Sequence, residues 1–406
     1  MTLRLSTQGM YRMGMGNMLS TQSKIAQLRQ QISSGIRLNQ AKDDPVGMAT
    51  AQKLDHLQAS LVQFGKDSDR VDHRLRMEEG ALGDANDNLT RARELAIEAN
   101  KGGMSDSDRK IIANEINQIR QNLIDIANRD DGNGRKLFAG SSDGVTPFTD
   151  NNGNITYHGD DGRNNVEISP DVFVQDGDSG SAVFLRVRTG DGYSRGTVSA
   201  ANTGSGVLSS ALVTNTATWG NNTYTVNFTA ANAYEILDSA GNPLSPAVAG
   251  TWTNGDTIPP AAAGLGVEFK ITGQPAAGDQ FTIERAPNQD VFKTLQLLED
   301  ALLHPGNSSA DNALRINAIG SGLADIATAQ DHLLNMRTGV GARMSNLDVT
   351  SDERSKQSIS MTETLSALRD TDYADAISQL NMQMLSLEAA QKVSVQMFGM
   401  SLFNKL

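Results

Sequence analysis

The sequence predicts an α+β, multidomain chain in which both ends contribute helices to one long antiparallel rod and the middle is inserted as an antiparallel β head. Three observations predict it. Apolar residues recur every seven positions at the amino end (Tyr11, Met18, Ile25, Ile32) and at the carboxyl end (Tyr373, Leu380, Leu387), the spacing by which a helix offers a continuous seam to other helices. Apolar spacings of three and four residues continue inward from both ends. Between them, residues 141–287 hold 19 of the 38 Gly, eight of the 10 Pro, both Trp and none of the 15 Met, a composition of turns and short strands.

Taken in order, residues 1–44 form an amino-terminal coiled-coil segment, with a helix from about Thr7 to Ser33 that Gly35 lets turn away. Residues 45–140 are the first half of the rod. Asp44 caps its helix and Pro45 takes the first helical position, where a missing N–H costs nothing. Met48, Leu54, Leu57, Leu61, Phe64, Val71, Leu75, Leu82, Leu89 and Leu95 sustain the stripe for about fifty residues, roughly 75–85 Å of helix, with weak points at Gly65, Gly80 and Gly83. Gly102 and Gly103 end it. Ser105, with Asp106 and Asp108 behind it, caps a helix whose stripe is Ile112, Ile116, Ile119, Leu123 and Ile126, folding back antiparallel. The cluster Asp130-Asp131-Gly132-Asn133-Gly134 is a turn.

Residues 141–287 are the β head, in one or two subdomains. Its runs are Ile155–Tyr157, Val166–Ile168, Val183–Val187, Tyr224–Phe228, Tyr234–Ile236, Val267–Ile271 and Phe281–Ile283; most alternate apolar with polar, and Ala200–Ser210 reads as a joint. Helical period resumes in residues 288–370, the second half of the rod, broken at His304-Pro305-Gly306. Residues 371–406 are the carboxy-terminal coiled-coil segment.

A net charge of −12 argues against a general nucleic-acid binder, and no basic groove is visible. The head carries most of that charge, six Lys or Arg against fifteen Asp or Glu, whereas the first forty residues have five basic residues and no acid. No cysteine is present, which removes disulfides, thiolate zinc sites and thiol nucleophiles together. The amino terminus has no secretory pattern and no run of eighteen apolar residues occurs, so neither a cleaved signal peptide nor a membrane span is expected.

Catalytic and ligand motifs are missing. His56, His73, His158, His304 and His332 form no zinc-protease pair and are expected as exposed polar residues. There is no phosphate loop and no nucleophile elbow. Acidic turns such as Asp160-Asp161-Gly162 lack the spacing of a calcium loop, and Trp219 and Trp252 read as head core or rim rather than a sugar platform. No enzymatic activity and no cofactor or metal are expected.

The positive signal is the helical seam, with Leu5, Tyr11, Met18, Ile25, Leu28, Ile32, Tyr373, Ile377, Leu380, Met384, Leu387, Phe398, Leu402 and Phe403 as its assembly interface. Segments so poor in acid, interrupted by Gly and rich in adaptable Met are weak autonomous helices and gain most by meeting copies of themselves. Residues up to about Leu38 and beyond about Asp372 are therefore expected to order only on assembly.

Ile32-Ser33-Ser34-Gly35-Ile36-Arg37-Leu38-Asn39 with Ala41-Lys42-Asp43-Asp44-Pro45 resembles the amino-terminal signature of the flagellin family; Arg91–Ala96 and Val340–Met344 look like further family segments. Within the family, Asp131–Gly140, Asp372–Ile377 and the ending Met400-Ser401-Leu402-Phe403 favour the hook–filament junction branch over a filament-forming flagellin, the alternative. The resemblance implies a structural protein of the extracellular flagellum, exported through the type III apparatus without a cleaved signal. It implies a homo-oligomeric adapter ring seated on hook-associated protein 1, on which flagellin polymerises, and a flagellar export chaperone covering the carboxy-terminal helix.

Overall fold

The computed structural model describes residues 7–42, 44–101, 104–151 and 153–403, with backbone only at 7, 8, 261 and 397–403. The helices are α1 (Thr7–Ser34), α2 (Pro45–Ala99), α3 (Asp106–Ala127), α4 (Thr216–Trp219), α5 (Val291–Leu303), α6 (Ser309–Arg369) and α7 (Tyr373–Phe403). The strands are β1 (Phe148–Asn151), β2 (Asn154–Tyr157), β3 (Asn165–Ser169), β4 (Val172–Gln175), β5 (Val187–Arg188), β6 (Ser194–Val198) and β7 (Val207–Val213). They continue as β8 (Tyr224–Ala230), β9 (Ala233–Leu237), β10 (Ala249–Thr251), β11 (Thr257–Ile258), β12 (Val267–Thr272), β13 (Gln280–Arg285) and β14 (Asn288–Gln289). The chain is thus α+β, with helices from both ends and an antiparallel β region between them.

It divides into two compact units, one made of residues up to Lys66 and from Thr350 onwards, the other of Asp67–Val349. Several expected boundaries rest on visible caps. Asp44 Oδ1 accepts the Gly47 N–H at 2.9 Å at the start of α2, and Ser105 Oγ accepts the Asp108 N–H at 3.2 Å at the start of α3. Asp290 does the same for α5, accepting the Lys293 N–H at 2.6 Å.

The second unit has two apolar cores. The helical one gathers Leu75, Leu82 and Leu89 of α2, Ile116 and Leu123 of α3, Leu295 and Leu298 of α5 and Ile326 and Leu333 of α6. Phe138, Phe148, Phe184 and Phe292 seal it, with ring centroids 5.1–5.8 Å apart. Val166, Ile168 and Val174 of the β3–β4 hairpin belong to this same core. The β core lies between a five-stranded sheet of order β10-β9-β8-β13-β6 and a three-stranded sheet of order β11-β12-β7. Val226, Phe228, Ile236, Phe269, Phe281 and Ile283 fill it together with Trp219 and Trp252, both buried as expected of core residues.

Two expectations in the head are corrected. Val183–Val187 is not one strand: Ser181–Leu185 forms a π-helical turn in which the adjacent Val183 and Phe184 are both buried, and only Val187 extends, as the first residue of β5. Ala200–Ser210 is not a joint, since β7 begins inside it and the residues before β7 are pinned. The buried Asp279 carboxylate accepts the N–H groups of Thr203 (2.8 Å), Gly204 (3.2 Å) and Ala276 (2.9 Å), fixing the passage from one sheet to the other.

Candidate functional site: the terminal helix pair and its elbow

Everything at this site lies in the first unit. Thr371 N–H donates to Gly35 O at 2.9 Å and Arg37 N–H to Arg369 O at 2.6 Å, so the end of α1 lies beside the start of α7 and the two helices run antiparallel. Both chain reversals are built into this elbow. Gly35 sits at φ +72°, the left-handed region that ends a helix, and a methyl group there would come 3.0 Å from the Tyr373 hydroxyl. Arg37 Nη2 donates to Leu368 O at 2.8 Å, placing a cation at the carboxyl end of α6, where the helix dipole favours it. Gln31 Nε2 closes the turn on Arg37 O at 2.8 Å, and Asp372 Oδ1 caps α7 by accepting the Ala374 and Asp375 N–H groups at 2.9 and 3.2 Å.

Beyond the elbow, Gln58 Nε2 of α2 donates to Thr362 Oγ1 of α6 at 3.2 Å, and Leu61 and Leu365 on these helices are buried. Arg369 Nη1 meets Asp55 at 3.1 Å, but both groups are well exposed, and such a pair contributes little.

Along α1 and α7 the predicted interface residues divide. Ile25 is buried; Met18, Leu28, Ile32, Leu380 and Leu387 are half-buried. Tyr11, Tyr373, Ile377 and Met384 are exposed instead of sealed in the seam, because two helices cover only a narrow stripe of each other and the rest of each apolar face turns outward. Leu5 lies outside the described residues, and so do the side chains of Phe398, Leu402 and Phe403, whose backbone is part of α7.

Sequence reasoning missed two things here. One is the elbow set Arg37, Thr371 and Asp372: Gly35 was expected to turn the chain, Arg37 and Asp372 stood in the quoted motifs without a role, and Thr371 lay outside them. The other is the outward apolar surface of Leu19, Leu385, Val393 and Val395, each exposed by more than half, which joins Met13 and Met382 among the terminal methionines. The histidines are not all exposed polar residues: His332 is half-buried with its Nε2 2.9 Å from Ala182 O, while His158 Nε2 lies 2.8 Å from Thr149 Oγ1. Among the described residues, no cluster of His, Cys, Asp or Glu is arranged to hold a metal, and no helix is long and apolar enough to cross a membrane.

The "bacterial flagellin N-terminal helical region" matches residues 5–143. The crystal structure of Xanthomonas campestris FlgL is 37% identical, covering 77% of this chain and 99% of that one at a TM-score of 0.71. The chain belongs to the flagellar hook-associated protein 3 (FlgL) family. Hook-associated protein 3 of Legionella pneumophila superposes at a TM-score of 0.73 with 28% identity, covering 78% of this chain and 98% of that one. The protein of that name in Escherichia coli (strain K12) is 24% identical over 401 residues, 99% of both chains. This member of the FlgL family is accordingly a structural component of the bacterial flagellum.

Proposed function

We propose that the protein is a non-catalytic adapter at the hook–filament junction: copies form a ring on hook-associated protein 1, and flagellin polymerises on that ring. The observation that carries this reading is the terminal helix pair. Its elbow is closed by six short hydrogen bonds among Gln31, Gly35, Arg37, Leu368, Arg369, Thr371 and the Asp372 cap, while its long faces leave Met13, Leu19, Leu385 and Val395 open. A rigid hinge joined to an unsatisfied apolar surface is what a subunit needs to complete its core with neighbouring subunits. Export through the type III apparatus without a cleaved signal, with a chaperone on α7 until release, fits the same surface, because uncovered apolar helices aggregate.

Deletion of the gene tests this reading. Electron microscopy is expected to show hooks without filaments while flagellin accumulates in the medium, and the wild-type gene supplied in trans restores filaments. Normal filaments on the deletion strain would refute the junction role.

A further inference from the structure

A buried charge cluster in the second unit is unrelated to the terminal pair. Glu78 of α2 is 1% exposed; its Oε1 accepts the Asp178 N–H at 3.1 Å, and its equally buried Oε2 has no hydrogen-bond partner. Asp178 is gripped from α6 by Arg343, Nη2 to Oδ2 at 2.5 Å, and from its own turn by Gln175 Nε2 at 3.3 Å. One helical turn earlier on α2, buried Arg74 donates to Lys136 O (2.9 Å) and Leu137 O (3.2 Å) and lies 3.8 and 3.9 Å from the carboxylates of Asp131 and Asp176. His73 Nε2 stands 3.4 Å from Asp131 O at the edge of the cluster.

The charges do not balance if every acid is ionised. Arg74 and Arg343 face Asp131, Asp176 and Asp178, which leaves Glu78 without a cation of its own, and an uncompensated buried carboxylate is costly. Burial first, and then the Asp178 charge, push the Glu78 carboxyl up to about 8. With its proton in place, Glu78 is a neutral donor facing the Asp178 carboxylate; without it, two carboxylates confront each other over one guanidinium.

We propose that Glu78, buried against the Asp178 turn and held protonated, is a latch that fastens the 176–180 turn to α2 and α6, and that alkaline solution releases this turn locally. The turn leads directly into the π-helical turn that carries Phe184 into the core, so releasing it loosens the attachment of the β3–β4 hairpin. The folded carboxyl holds its proton more tightly than the unfolded one. Its stabilising contribution is therefore complete below about 4.5, the ordinary glutamate value, and is lost as pH rises through about 8.

The test is hydrogen–deuterium exchange on the full-length chain at about pH 6.5 and about pH 9.5, corrected for the intrinsic exchange rate. In the wild type, protection of residues 176–183 is expected to fall roughly tenfold or more between the two, while the β core keeps its protection. Glu78→Gln retains a neutral donor that cannot ionise and is expected to stay protected at both values. Identical pH dependence in wild type and Glu78→Gln, or loss of protection in the variant at both values, would overturn the latch. Should the variant not fold, carboxyl-carbon NMR of the wild type decides: titration of Glu78 near 8 supports the proposal, and titration in the ordinary glutamate range defeats it.

Discussion

In the β core, Phe228, Ile236, Phe269, Phe281 and Ile283 show no exposed surface at all, whereas on α1 and α7 Met13, Leu19, Leu385 and Val395 are each 60% exposed or more. The two regions have similar apolar residues to hide and differ in what is available to hide them. Two sheets face each other in the head and close a core within one chain. Two helices cover only a stripe of each other, and the remaining apolar area stays exposed. The head is a finished object, while the terminal pair leaves apolar faces open, which the proposed function assigns to neighbouring copies.

The largest effect expected from this contrast is on assembly. Leu380→Asp or Leu387→Asp puts a carboxylate into the half-buried stripe, at a cost of several kcal/mol per copy once neighbours enclose it. Motility should be lost while circular dichroism of the purified monomer shows an intact head and helical core. A motile strain carrying either variant would show that this stripe is not an assembly contact.

Two truncations separate the closed core from the open face. Phe281→Ala opens a cavity in a closed core and should cost about 3–5 kcal/mol, lowering the thermal midpoint clearly. Leu19→Ala removes an exposed side chain and should move monomer stability by no more than about 0.5 kcal/mol, yet weaken assembly. Equal losses of stability in the two variants would mean that α1 is already enclosed. Limited proteolysis reads the same difference, with cuts before about Leu38 and after about Asp372 expected in the monomer ahead of any cut in the head.

A local effect on assembly is expected at the elbow. Gly35→Ala forces a side chain into the left-handed region and toward the Tyr373 hydroxyl, costing about 1–2 kcal/mol. Fewer or shorter filaments, with thermal stability of the head unchanged, are the outcome to look for by microscopy and calorimetry. A variant with wild-type filaments would show that the angle between the terminal pair and the helices leading into it is not set at Gly35.

How much of this was legible in the chain depends on the range of the forces involved. The Asp44-Pro45 and Ser105 caps, the break at His304-Pro305-Gly306 and the seven-residue repeats were readable because each rests on neighbours a few residues away. Helix starts, helix types and the candidate assembly surface could therefore be named from residues alone. The family motifs marked the elbow without explaining it: Gly35 signals a stop, but that Thr371 and Arg369 meet it from more than 330 positions away is a tertiary fact.

The residues alone were enough to place the long helices and most of their starts, the β-rich middle and the apolar surplus at both ends, but not the short turns α4 and Ser181–Leu185. That Val183–Leu185 coils instead of extending was settled at the tertiary level, where Phe138, Phe148 and Phe292 close around Phe184. Only the tertiary structure decided that Glu78, an ordinary charged residue on a long helix, is sealed against Asp178 from a turn 100 positions away. The physical reason is the same in both cases: local propensity is a fraction of a kcal/mol per residue, and the burial of an aromatic ring or of a charge outweighs it severalfold.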